Sequence, residues 1–243
     1  MHAALLLTML VAVLAGPWTV AGVGRHSLVT TSAGDMHELR PLSHDVDIDV
    51  LGFVAEVSVR ECYAVDETTE GRALLAFAGS EQCELLECVL LVDGAPGSPA
   101  RVSDSAGLTL VYGPPVTQGS TVSVVLRYAR LLPRTDGWYE LRHDVPQLAG
   151  PPEGTEDSGT AAWLAVSITG GMPICGLTTP SHDSEIWYNG TRQARVVPDL
   201  GKRGGETFLL RYSLAGEEIV DEYFEFETPD GDVIHMVVEP RKR

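Results

Sequence analysis

Positive charge is scarce in this chain. Of its 243 residues 17 are Lys or Arg and 34 are Asp or Glu, a formal net charge of −17. A polypeptide this acidic repels phosphate backbones and anionic membrane surfaces, which excludes nucleic acid as a natural partner. Lys202 and Lys242 are the only lysines, and the arginine bias carries no mechanism. Long apolar runs are equally scarce. Met1–Gly24 contains no Asp, Glu, Lys or Arg, and no later stretch approaches the roughly 20 residues that a membrane-spanning helix needs. Cysteine is limited to Cys62, Cys83, Cys88 and Cys175. Their spacing matches no zinc signature and no histidine adjoins them, so neither a metal nor any other cofactor is called for. A convincing amphipathic helix is missing too, which leaves strands to build the fold.

Within Met1–Gly24 the run Ala3–Gly16 supplies the apolar core of a signal peptide, and Ala21 and Gly22 supply small residues for cleavage. Pro17 and the small residues after it favour removal. If the segment is retained, Ala3–Gly24 is nearly long enough to anchor the chain in a membrane. The expected mature protein is therefore secreted, extracellular or held at the cell surface. In that setting an even number of cysteines implies two disulfides with three possible pairings. Strand placement favours Cys62 with Cys83 or Cys88, which leaves Cys175 to the remaining partner or free. Asn189-Gly190-Thr191 is a glycosylation acceptor in a eukaryotic secreted protein, and otherwise simply an Asn-Gly turn.

What the sequence does contain is alternation. In Asp45–Val65, Val46, Ile48 and Val50 fall on one face and Asp45, Asp47 and Asp49 on the other. After Leu51-Gly52 the parity flips to Phe53, Ala55, Val57 and Val59 against Glu56, Ser58 and Arg60. A period of two means a strand with one buried face, and a flip at glycine means a bent strand or two strands. Further strands are expected at Arg72–Ala78, within Ser80–Val92, at Leu108–Tyr112 up to Gly113-Pro114-Pro115, and at Ser120–Leu132. Trp138–Val145 is expected to return as the antiparallel neighbour of Ser120–Leu132. Beyond the Pro/Gly/acidic stretch Leu148–Thr160 come Ala161–Thr169, Glu185–Tyr188, Ala194–Val197 and Thr207–Ser213. Finally Glu218–Glu227 and Asp232–Glu239 flank a Thr-Pro-Asp-Gly turn. About a dozen short strands with turns every 8–12 residues indicate an all-β, antiparallel β-sandwich, as one large unit or two closely packed ones. The expected division is a signal peptide (1–24), a linker (25–44), a first β unit (45–147), an acidic loop (148–160) and a second β segment (161–243).

The order of these features resembles the VIT domain, the N-terminal module of inter-alpha-trypsin inhibitor heavy chains and of many bacterial surface proteins. Asp45–Val65 resembles the opening strands of that family, with the Gly52-Phe53 break in place. Gly119–Leu141 resembles its segment of a glycine, a strand ending in Tyr, and a Tyr-x-Leu strand. Ile174–Val196 and Thr207–Ala215 resemble the β segment that completes or follows the VIT unit ahead of a von Willebrand A domain. The family's intervening helical stretch is shortened here to about Val102–Ala106. No D-x-S-x-S metal motif of an A domain occurs in the sequence, and neither does the C-terminal aspartate through which heavy chains are linked to chondroitin sulfate. The resemblance thus implies an interaction module for protein or extracellular-matrix partners, not metal-dependent adhesion or covalent hyaluronan transfer.

The chemistry-bearing residues have bland readings beside their sharp ones. Ser181-His182-Asp183-Ser184 holds the letters of a catalytic triad, but neighbours on an extended chain point to opposite faces and a contiguous triad does not converge on one carbonyl. Asp45, Asp47 and Asp49 repeat at roughly 7 Å and could approach a cation, yet they read first as the wet face of a half-buried strand. Trp138, Tyr139, Trp163, Trp187 and Tyr188 could stack on sugars, although aromatics in strands more often cover a sheet. Cys175 has no activating neighbour in the sequence. The expected function is accordingly a non-catalytic, VIT-like interaction module. The alternative is a carbohydrate-binding or hydrolytic sandwich that uses exposed Trp/Tyr rings and carboxylates.

Overall fold

The computed structural model describes residues 25–32, 35–65, 71–79, 82–96, 100–103, 108–149, 161–201, 205–215, 222–227 and 233–238. The signal-peptide segment, the Thr-Pro-Asp-Gly turn and most of the acidic 148–160 stretch lie outside them. The described residues contain no helix. The first strands are β1 (Arg25–Ser32), β2 (Asp35–Glu38), β3 (Pro41–Leu51), β4 (Val54–Ala64), β5 (Gly71–Ala78), β6 (Cys83–Val92) and β7 (Ala95–Pro96). Next come β8 (Ala100–Ser103), β9 (Leu108–Val116), β10 (Thr121–Leu131), β11 (Arg134–Thr135), β12 (Trp138–Asp144) and β13 (Ala161–Thr169). The chain continues through β14 (Ile174–Thr178), β15 (Ser184–Asn189), β16 (Gln193–Pro198), β17 (Thr207–Leu214), β18 (Glu222–Glu227) and β19 (Val233–Val238).

An eight-stranded sheet in the order β15-β16-β13-β3-β4-β10-β6-β7 is the hub. Its inner face carries Val46, Ile48, Val50, Val57, Val59, Val122, Val124, Leu126, Leu164, Val166 and Ile168, all buried. Two smaller sheets join this face in one core: β2-β1-β5-β9-β8 and β11-β12-β17-β14. Phe77 of the five-stranded sheet lies 5.4 Å from Tyr128, ring centre to ring centre. Tyr139 of the four-stranded sheet stacks on both Phe53 and Tyr212, and the Tyr212 hydroxyl donates to the Gly52 carbonyl at 2.5 Å. The architecture is an all-β sandwich with one wide layer and a divided second layer. β18 and β19 pair with each other as a hairpin.

The parity flip at Gly52 separates two strands. Leu51 pairs with Val54 across a two-residue turn, and Gly52 supplies its φ of 61°, which suits the first central position of a type II′ hairpin turn. Asp93-Gly94 and Asp136-Gly137 also turn with positive φ at both residues, the type I′ geometry that this dipeptide favours.

Four expectations are corrected. The 25–44 stretch is not an irregular linker: it forms β1, β2 and the start of β3, and β1 pairs with β5 along Arg25–Thr31. Its polar residues misled because Thr30 is itself fully buried. β9 does not stop at Gly113-Pro114-Pro115 but continues to Val116, with a register irregularity opposite Arg72–Leu74. β12 does not pair with β10, because both edges of β10 are taken by β4 and β6. The chain instead crosses into the second layer at Leu132-Pro133, where the Leu132 amide donates to the Phe53 carbonyl, and β12 pairs with β17.

The disulfides are the fourth correction: no disulfide joins any two of Cys62, Cys83, Cys88 and Cys175. β10 lies between the strand of Cys62 and the strand of Cys83 and Cys88. Two strand spacings alone come to about 9.6 Å, beyond the roughly 7 Å that a bridge tolerates between Cα atoms. Burial pushes the Cys83 thiol up to about 12, with Arg130 opposing and Glu84 adding to the shift. Cys175 is exposed beside a register irregularity in β14.

The 161–243 segment is tied to the 45–147 segment by the sheet itself. β13 lies parallel to β3 from Ala161↔Ser43 to Thr169↔Leu51, and β16 and β15 extend the same sheet outward.

Candidate functional site

Two features stand out from the apolar framework, one inside the sandwich and one on its outer surface. Inside, strand parity delivers titratable side chains to the buried face. On β4 the residues that follow Val57 and Val59 in the same phase are Glu61 and Tyr63, and on β3 the residue preceding Val46 in phase is His44. All three are buried. His26 of β1 reaches them from the five-stranded sheet and His143 of β12 from the four-stranded sheet.

Glu61 is the centre of this seam. His26 Nε2 lies 2.8 Å from one carboxylate oxygen and His44 Nδ1 lies 2.6 Å from the other, and the Tyr63 hydroxyl donates to the first. Burial alone would raise the carboxyl, but the charge and hydrogen bond of His26 and the hydrogen bond and charge of His44 hold it well below the usual range. Glu61 is therefore ionised, and both imidazole nitrogens that face it carry hydrogen. Burial pushes the Tyr63 phenol well above its ordinary value, and the Glu61 charge adds to the shift. At the far end of the seam His44 Nε2 meets His143 Nε2 at 3.1 Å, with the rings stacked at 25°. Burial drives His143 well below the ordinary histidine value, and His44, Arg130 and His26 drive it further, against the pull of Glu61. Arg130 donates to the Arg142 carbonyl of β12, a second polar tie between the same layers. A carboxylate enclosed this way has its acceptor sites committed within the protein, so the arrangement joins sheets rather than meeting a substrate.

The outer feature is the opposite face of the hub sheet. Asp45, Asp47 and Asp49 stand exposed on β3. Across the strands Trp163 is in register with Asp45, and Asp45 with Arg60. Asp49 is in register with Ser167, Ser167 with Arg195, and Arg195 with Trp187. The face thus presents Trp163 (46 % exposed), Trp187 (49 %) and Leu51 (54 %) among aspartates and arginines. The two indoles are two strands and four residues apart, roughly 16 Å between Cα atoms. Arg127 lies between Glu56 at 3.5 Å and Glu87 at 3.8 Å on the same face.

The other residues singled out from sequence are dispersed. Tyr139 is buried and Trp138 half-buried, its indole packed so closely over Gly176 that a Cβ there would come within 2.6 Å. Tyr188 is 57 % exposed at the β15 edge. Ser181 and His182 do touch, Oγ to Nδ1 at 2.8 Å. The same Oγ accepts from the Leu209 amide at 2.7 Å, and His182 rests edge-on against Phe208. This is a loop pinned to β17, and the contact between sequence neighbours is one that the alternation argument missed. His182 Nε2 lies 3.8 Å from the Glu206 carboxylate. Asn189 is exposed at the end of β15, paired with Gln193 of β16, with Nδ2 donating to the Gln193 side chain at 2.8 Å. Nothing in the sequence reading named His26, His44, Glu61 or His143; the phase of Phe53–Val59 extends to Glu61, whereas His44 fell in the stretch read as a linker.

No family model matches the chain, and no curated protein matches it. Among solved structures it is similar to a "putative nutrient binding protein" from Legionella pneumophila subsp. pneumophila str. Philadelphia 1, at 10 % identity and a TM-score of 0.45. That match covers 79 % of this chain and 72 % of the other.

Proposed function

We propose that this chain is a secreted or surface-exposed, VIT-like interaction module that binds a protein or extracellular-matrix partner without catalysis, through the outer face of its eight-stranded sheet. The observation that carries the reading is the contrast between that face and the interior. Three of the four large apolar side chains found exposed among the described residues, Leu51, Trp163 and Trp187, stand on one side of one sheet. Exposed aromatic anchors with a polar surround are the composition of a recognition surface. The buried carboxylate, in contrast, is closed off by its own partners. The stretches that resemble the VIT family form β3–β4, β10–β12 and β14–β17.

A second reading rests on the same indoles. Two Trp rings on one face beside carboxylates and guanidinium groups also suit a short neutral oligosaccharide, stacked on the rings and hydrogen-bonded by the charged groups. One experiment addresses both. The purified chain and a Trp163→Ala/Trp187→Ala variant are tested by biolayer interferometry on immobilised basement-membrane extract, with and without protease treatment of the extract, and on a glycan array. The expected result is protease-sensitive binding that the double variant loses at least tenfold. Protease-resistant binding together with defined glycan hits moves the assignment to the second reading. Binding that the double variant retains in full overturns the outer-face assignment.

A further inference from the structure

His44 Nε2 and His143 Nε2 face each other at 3.1 Å inside the seam. A gap of that size holds one hydrogen, donated by one ring and accepted by the other. The second nitrogen of His44 is already committed as a donor to Glu61. Protonating both rings would point two N–H groups at each other with no acceptor between them. We propose that the His44–His143 contact is an acid-operated latch, in which a second proton on the pair breaks the contact and loosens the four-stranded sheet from the eight-stranded one. The latch works independently of what the outer face binds.

The surroundings of His143 set the direction. Toward it face His44 from β3, Arg130 from β10 and His26 from β1, with Glu61 of β4 the opposing charge. Its register partner on β17 is the apolar Phe208. Glu61 is already shared among His26, His44 and Tyr63, so it offers little to a new cation. The His143 value is held well below that of an ordinary histidine by burial first and then by those neighbours, so the folded chain refuses a proton that the unfolded chain accepts near pH 6.5. Stability from this group is present above that pH and is lost as the pH falls below it. Glu61, whose value is depressed, acts in the same direction but only below the ordinary carboxylate range, so from pH 7.5 to 5.5 His143 acts ahead of it. Two ties between the layers involve neither a histidine nor a carboxyl group, Arg130 to the Arg142 carbonyl and Tyr212 to the Gly52 carbonyl. They keep the loosened sheet tethered.

The test is urea unfolding of the full chain at pH 7.5 and 5.5, with hydrogen exchange at both. One excluded proton raises the unfolding constant about tenfold between these pH values. His143→Gln keeps a side-chain amide opposite His44 and removes the titration, and should reduce that change to within about twofold. At pH 5.5 the amides of β12 and β17 should lose protection ahead of those of β4 and β10. Equal unfolding constants at the two pH values, a tenfold change retained in His143→Gln, or a uniform loss of protection across all sheets would each overturn the latch. If His143→Gln does not fold, the wild-type histidine C2–H titration decides. A His143 resonance static down to pH 5.5 upholds the proposal, and a native-state midpoint near 6.5 sinks it.

Discussion

Strand β3 disposes of its titratable side chains in two opposite ways. His44 points inward, where each ring nitrogen has one defined partner. Asp45, Asp47 and Asp49 point outward, in register with Arg60, Ser58 and Glu56 of β4, and are exposed. The same backbone thus supplies a fixed polar joint on one face and an adaptable charged surface on the other. The difference comes from enclosure. Inside, every donor must find its acceptor, so geometry is specified and loss is costly. Outside, water substitutes for any partner, and individual charges are worth little.

The largest expected effects come from breaking the inner side. Glu61→Ala removes the acceptor of His26, His44 and Tyr63 together and should destabilise by about 3–5 kcal/mol in urea unfolding, since it strands buried partners. Ile48→Asp puts an unpartnered carboxylate on the buried face of the same strand and should cost a similar several kcal/mol. A loss below about 1 kcal/mol for either would show that the inner face is wetter than described. Tyr63→Phe deletes one donor to the Glu61 carboxylate and should cost about 1.5–3 kcal/mol, the range for a hydrogen bond to a charged group. At the small end, Asp47→Asn should change stability by no more than about 0.5 kcal/mol. Its melting temperature should shift equally with calcium and with chelator. A loss seen only with calcium would mean that the aspartate row holds an ion, because a ligand of the folded state stabilises by mass action, and the contrast between the two faces would then fail.

How much of this was readable depends on where the information lay. The inner and outer faces of β3 and β4 were legible because a period of two, sustained over five or more residues, leaves no other assignment for Val46, Ile48 and Val50. β1 was not legible: RHSLVTTS offers only Leu28 and Val29 as apolar markers, and its strand character comes from pairing with β5. The sheet membership of β12 was lost because a short connection suggests a hairpin, and only the fold shows that β10 has no edge to give. The cysteine argument failed because an even count says nothing about spacing once β10 separates the candidates. Glu61 was within reach, since the phase of Phe53–Val59 carries on to it, but His44 was lost to the stretch read as a linker. His26 and His143 were out of reach, because they arrive from other sheets and from distant sequence.

The parallel seam between β3 and β13 has a consequence for how the chain is made. Val46 pairs with Leu164, so a central row of the hub sheet closes only after more than a hundred residues separating its two sides have been synthesised. Contacts of that sequence separation are slow to form, because chain closure must precede any gain from pairing. Until β13 arrives, β3 presents a bare edge with Val46, Ile48 and Val50 beside it, the kind of transient strand that recruits wrong neighbours. The exposed Asp45, Asp47 and Asp49 on that same strand place like charges where two nascent copies would meet. Like charges along a strand edge disfavour the pairing of two copies.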